Sequence, residues 1–316
     1  MARKQLTLAK GNVKTLGEGF KEFLIYSRVK NLSEHTLTYY EDCFNKFCKF
    51  IDKDTLINEI DKSDVDEFVL FLRDSNISSI SINTQLNGVR AMLYYFMSLG
   101  YMQKFSISKV KQEKPIKETY TESEIKLLLV KPDLKKCQFT DYRDWVCVNL
   151  LLGTGMRIRT LINLKINDID IENEVITYKI TKNRKQQIVP LSRTLINVLS
   201  EYIQIRLQNA NEDDWLFCSR YAEKLTSNAL QHSLRKYNQR RGVIKVGCHL
   251  WRHTFAKMWI LGGGDALRLQ KILGHSTMDM VREYVNLFDN ELQIDFNTFN
   301  PLEKFNVNKR SIRMRG

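Results

Sequence analysis

The chain has 316 residues, 43% of them apolar, and a formal net charge of +13 at pH 7. That length predicts two domains with cores of ordinary size. The charge points away from enzymes of small anionic metabolites and toward a polyanionic partner, nucleic acid first.

In chain order, the opening segment MARKQLTLAKGNVK is basic without an apolar core and does not read as a secretory signal. Residues 17–29 read as a helix. In SEHTLTYYEDCFNKFCKFI, Leu37, Tyr40, Phe44, Phe47 and Ile51 recur at spacings of three and four, one apolar face of a second helix with Ser33 as its N-cap. KSDVDEFVLFLRDS and NTQLNGVRAMLYYFMSLGY repeat the pattern, so residues 1–107 are expected to form a helical domain of about four helices. Residues 108–120, SKVKQEKPIKETY, are charged and broken by Pro115, and read as an exposed linker. Thr121 and Glu124 form a capping box that opens a second domain over residues 121–316.

The second domain reads as mixed. VCVNLLLGTGM is an apolar helix expected to stop at Gly153 and Gly155. DIDIENEVITYKITKNRKQQIVPL holds two β-rich runs about a polar turn, a hairpin or a three-stranded sheet. Helical patterns resume after Ser192 and continue to near Leu292, and the chain closes on the basic NKRSIRMRG. The expected fold class is therefore mainly α, a helical domain followed by an α+β domain with a small antiparallel sheet. No run of 18 apolar residues is present, so no membrane-spanning helix is expected. Cys43, Cys48, Cys137, Cys147, Cys218 and Cys248 form no CxxC pair and read as reduced thiols of a cytoplasmic protein.

Four stretches carry candidate chemistry, and each has a plain reading when taken alone. Arg157, in TGMRIRTLINL, follows a glycine break at the start of a helix, where most arginines are surface residues. Lys182 lies at the tip of the proposed hairpin, where lysines are common. His249 and Arg252, in CHLWRHTFAKMW, share one helical face. His275 sits in a Gly-His-Ser turn, and Tyr284, nine residues on, would by itself be a packing residue. His249 and His253 have the i, i+4 spacing of metal ligands. Leu250 stands where a zinc protease needs glutamate, no acidic cluster offers a third ligand, and His253 reads as a packed histidine.

Together these positions resemble the tyrosine recombinase, or phage integrase, family, Xer-like in size and domain layout. TGMRIRTLINL is similar to the first arginine motif of that family, HLWRHTFA to its H-x-x-R motif, and LGHSTMDMVREYV to its L-G-H-S stretch with the nucleophilic tyrosine. YTESEIKLLL resembles the start of the catalytic domain, and the helical first third resembles the core-binding domain. The resemblance implies Arg157 and Arg252 on the scissile phosphate, Lys182 as general acid, His249 and His275 as supports, and Tyr284 as nucleophile. It further implies two domains clamped on duplex DNA, a tetramer on two DNA sites, no cofactor, and action in the cytoplasm on nucleoid DNA. Residues beyond Tyr284 would dock on a neighbouring protomer or pack on their own domain, and an accessory DNA-bending protein or partner recombinase is left open. Two positions depart from the pattern. Thr160 stands where an acidic residue is usual, and Trp251 where leucine is usual.

Physical chemistry is consistent with those roles. A free tyrosine has a pKa of about 10, and cationic neighbours favour its phenolate. Two guanidinium forks match the charge that builds on the equatorial oxygens of a pentacoordinate phosphate. A 5′-hydroxyl leaves poorly unless a group such as Lys182 protonates it. A phosphotyrosine bond keeps the energy of the broken diester, so rejoining needs no ATP, and the chain has no GxxxxGK[ST] loop. The rival readings are a type IB-like DNA topoisomerase and a DNA-binding accessory protein without catalysis.

Overall fold

A computed structural model describes residues 14–111, 118–179, 186–275, 277–278 and 281–282. The chain divides into two compact units, residues 1–115 and 116–316.

Among the described residues, the first unit holds four α-helices, α1 (Leu16–Val29), α2 (Glu34–Phe47), α3 (Lys62–Asp74) and α4 (Ser79–Ser98). Each starts at a side-chain cap that takes up orphan amides of its first turn. Thr15 and Asp61 do so as capping boxes with Glu18 and Asp64, and Ser33 and Ser78 as single acceptors. Spacings of three and four turn Phe20, Phe23, Phe47, Phe68, Leu86 and Phe96 into one core. α2 meets α4 closely enough that a Cβ on Gly88 would collide with the Cys43 side chain. After α4 the chain doubles back along that helix. The Ile107 amide donates to the Tyr94 hydroxyl at 3.1 Å, and Asn83 exchanges hydrogen bonds with both backbone groups of Val110, at 2.8 and 2.9 Å. Within the stretch read from sequence as an exposed linker, Val110 is thus held by the first unit, while Ser108, Lys109 and Lys111 beside it are exposed.

The second unit opens with α5 (Glu122–Leu128) behind the capping box of Thr121 and Glu124. Its centre is α6 (Phe139–Thr154), buried on nearly every side, with α8 (Arg193–Leu207), α9 (Ser227–Arg240) and α10 (Cys248–Leu261) packed around it. α6 buries a charge pair, Arg143 to Asp144 at 2.7 Å. That pair is tied to the Cys218 carbonyl and the Ser233 hydroxyl, so neither charge lacks partners in the core. The short α7 (Ile158–Leu161) leads into a three-stranded antiparallel sheet of β1 (Ile169–Asp170), β2 (Val175–Lys179) and β3 (Gln186–Pro190) in sequential order. β2 and β3 pair from Val175 opposite Pro190 to Lys179 opposite Gln186. α11 (Ala266–Leu273) follows α10.

The mainly α class with a small antiparallel sheet is therefore as expected. One helix end differs. Gly153 lies inside α6, and Gly155 alone stops the helix, in the left-handed conformation at φ 61°. Among the described residues no helix is long and apolar enough to cross a membrane.

Candidate active site

The site grows from three chain breaks in the second unit. At the first, Gly155 caps α6 with a φ that favours glycine, and a Cβ there would also strike Phe255 and Leu273. The turn it makes delivers Arg157, half-buried, to the N-cap position of α7. At the second, Gly247, at φ 148°, opens α10, which carries exposed His249 and buried Arg252 one turn apart. At the third, Gly274, at φ 62°, ends α11 and turns the chain into His275, which is buried.

Arg252 ties the three breaks together. Its Nη1 donates to the Gly155 carbonyl at 2.9 Å and its Nη2 to the Leu273 carbonyl at 2.7 Å. The guanidinium is therefore held from the end of α6 and the end of α11 at once. A side chain fixed by two carbonyls presents a preorganised charge, which costs little to order when an anion arrives.

Arg157, His249 and Arg252 line one cleft of about 360 Å³, together with Arg159 and with Asn228 and Gln231 from the first turns of α9. No carboxylate is among its lining residues, so the cleft is a concentrated positive site suited to a phosphodiester. Tyr178, on β2, is buried. Burial pushes its hydroxyl up to about 12, against the opposing pull of the Arg252 and Arg157 charges. Thr160, at the usually acidic position, donates its amide to the Arg157 carbonyl at 2.9 Å.

The structure thus brings Arg157, His249 and Arg252 into one cleft, and joins His275 to Arg252 through the end of α11. Lys182 and Tyr284 lie outside the described residues. His253 is half-buried, its ring 6.5 Å from that of His249. Among the described residues no group of three or more His, Cys, Asp or Glu is placed to hold a metal ion.

Sequence reasoning missed the reason for Trp251. Its indole is buried against the Tyr120 ring, with centroids 4.2 Å apart. Tyr120 is further held by its amide to Thr254 Oγ1 at 2.9 Å and by Asn238 donating to its hydroxyl at 3.0 Å. The larger side chain at position 251 therefore pins the stretch that enters the second unit onto the back of α10. Sequence reasoning also missed Gln187, whose signal was legible: a glutamine at an inward position of β3, where alternation calls for an apolar residue.

Residues 118–291 match the model of the Phage integrase family, and residues 15–112 match that of the Phage integrase SAM-like domain. The tyrosine recombinase XerD of Staphylococcus haemolyticus is 27% identical over 291 residues, covering 89% of this chain and 98% of that protein. The tyrosine recombinase XerC of Staphylococcus aureus is 27% identical over 273 residues, covering 84% and 90%. Among solved structures, the Tn1549 transposon integrase bound to transposon right-end DNA superposes with a TM-score of 0.72 at 19% identity, covering 89% of this chain and 99% of that one. The XerH site-specific recombinase, in a post-cleavage complex with a palindromic difH substrate, gives 0.67 at 21% identity, covering 84% and 80%.

Proposed function

We propose that this chain, which belongs to the phage integrase family and is a tyrosine-type site-specific recombinase, cuts and rejoins duplex DNA through a 3′-phosphotyrosine bond made by Tyr284. The observation that carries the reading is the carboxylate-free cleft in which Arg157, His249 and Arg252 converge. Arg157 and Arg252 hold the non-bridging oxygens of the scissile phosphate and stabilise the charge that builds there. The Tyr284 oxygen attacks phosphorus, and the bond to the 5′-oxygen breaks. Lys182 gives that oxygen a proton. His249 supports the phosphate or exchanges a proton with the nucleophile, and His275 supports the site from the end of α11. Attack by a 5′-hydroxyl reverses these steps and releases the tyrosine, so no ATP and no metal ion enter.

Residues 1–107 act as the core-binding domain, 108–120 as the linker and 121–316 as the catalytic domain. The protein works as a tetramer on two DNA sites, in integration or excision of a mobile element or in resolution of DNA dimers, in the cytoplasm. The DNA complexes among its structural neighbours, a dimer of lambda integrase bound to a COC′ core site among them, support a DNA partner and an oligomeric complex.

The test is a nicked suicide duplex, from which a cleaved strand end diffuses away and leaves the covalent adduct. Wild type should form the adduct in EDTA without ATP, and Tyr284→Phe, which loses one oxygen and little volume, should form none. Lys182→Ala should be slow on ordinary DNA and restored by a 5′-bridging phosphorothiolate, whose thiolate leaves unprotonated. An adduct from Tyr284→Phe, a magnesium requirement, or no rescue of Lys182→Ala would each remove the corresponding role. Exchange of strands between two labelled duplexes separates a recombinase from a topoisomerase.

A further inference from the structure

The last four carbonyls of a helix have no partner within it. In α11 all four are taken. The Gln270 carbonyl accepts from the His275 amide and that of Lys271 from the Gly274 amide, each at 3.0 Å. The other donors are side chains from elsewhere in the fold. Gln187 Nε2 reaches the carbonyls of Lys271 at 2.8 Å and Ile272 at 2.6 Å, and Arg252 reaches that of Leu273. Gln270 closes the turn by donating to the His275 carbonyl at 3.2 Å.

Gln187 is 9% exposed and sits directly opposite Tyr178 in the β2–β3 ladder. Its neighbour on the same face of β3, Val189, is apolar. Burying an amide at this position is costly unless its donors are used. Here they are used on the backbone that carries Leu273 and His275, about 85 residues away in the chain.

We propose that Gln187 is a positioning residue for DNA cleavage. It anchors the end of α11 to the sheet, and so sets the Leu273 carbonyl that orients Arg252 and the Gly274–His275 turn that follows. The inference rests on the proposed reading of Arg252 as a group at the scissile phosphate and of His275 as a support of that site. A purely structural glutamine would change only the stability of the fold.

Gln187→Met keeps length and removes the donors, and Gln187→Arg offers donors to both carbonyls again. Adduct formation on the nicked duplex is measured at saturating DNA, well below the unfolding midpoint of each variant. The methionine variant should react about tenfold more slowly, as expected for two lost hydrogen bonds. Its DNA affinity should stay within about twofold, since the phosphate contacts are many. The 5′-bridging phosphorothiolate should not restore it, and Gln187→Arg should recover most of the rate. Should the methionine variant not fold, Gln187→Asn, one methylene shorter, carries the same expectation. A methionine variant that cleaves at the wild-type rate overturns the proposal. So does full rescue by the phosphorothiolate, which would place the effect on the leaving group. A wild type that forms no adduct, or an Arg252→Ala variant that cleaves normally, overturns the reading of the site beneath it.

Discussion

Arg252 and Arg157 face the same cleft but are held differently, and that difference separates their variants. Arg252 is buried and satisfies two backbone carbonyls, whereas among the described residues no hydrogen bond holds the Arg157 guanidinium. Arg252→Ala leaves the Gly155 and Leu273 carbonyls without those donors, at about 1–3 kcal/mol for each buried group left unmade. Arg157→Ala, at a half-exposed site, should shift unfolding by no more than about 0.5 kcal/mol. Both should cut cleavage by about 10²-fold or more, by analogy with loss of an oxyanion donor. Urea unfolding beside adduct kinetics checks this, and an Arg252→Ala variant of wild-type stability would contradict the clamp. Arg157, His249 and Arg252 could be picked out because residue types and order along the chain carry their signal. The two carbonyls behind Arg252 could not, because an acceptor on any backbone looks the same in sequence and only the fold selects which two are near.

At the scale of elements, caps and glycines decide where the site's supports begin and end. α6 could equally have been stopped by Gly153, and nothing local in LLGTGM separates the two glycines. What chooses is tertiary: at Gly155 the left-handed turn meets Phe255 and Leu273 and aims a carbonyl at Arg252. Gly155→Ala therefore combines an unfavourable φ with two collisions and should cost about 1–3 kcal/mol, read by thermal unfolding, with slower cleavage because Arg252 loses its seat. Gly153→Ala, within a helix, meets only the Leu195 side chain and should cost less. The cap of α5 was fully legible, since Thr121 and Glu124 are neighbours in sequence, and it makes a pH prediction. Burial pushes the Glu124 carboxyl up, but the Thr121 amide and the Lys245 ammonium, 3.0 Å away, outweigh it and hold the group below its ordinary range. A carboxyl depressed in the folded state adds stability above its unfolded pKa of about 4.3 and loses it as pH falls through the folded value. Wild type should thus be the more stable form at neutral pH, and its advantage over Glu124→Gln should shrink on acidification below about pH 4.3. Unfolding midpoints that change in parallel across that range would show that the pair contributes nothing. Trp251 and Tyr120 mark the opposite extreme, a contact between distant stretches that periodicity cannot reveal.

At the scale of the whole molecule, charge is unevenly shared. Residues 1–115 hold 17 basic and 14 acidic residues, and residues 116–316 hold 32 and 22, so most of the +13 belongs to the second unit. For a chain that binds DNA, that excess should appear as counterion release, with log affinity falling linearly against log salt by about 0.9 for each phosphate neutralised. A footprint of six to ten phosphate contacts would weaken binding by about 10³–10⁵ between 50 and 200 mM salt. The slope also tests the site. Arg157→Ala removes a cation proposed to touch one phosphate, so it should flatten the slope by about 1 while weakening binding on every sequence alike. Tyr284→Phe removes no charge and should leave the slope as it is. Fluorescence anisotropy of a labelled duplex, titrated at several salt concentrations, measures all three. A wild-type slope near zero would mean that the charge of the second unit does not face DNA. An Arg157→Ala slope equal to that of wild type would take this residue off the phosphate, even if cleavage were lost.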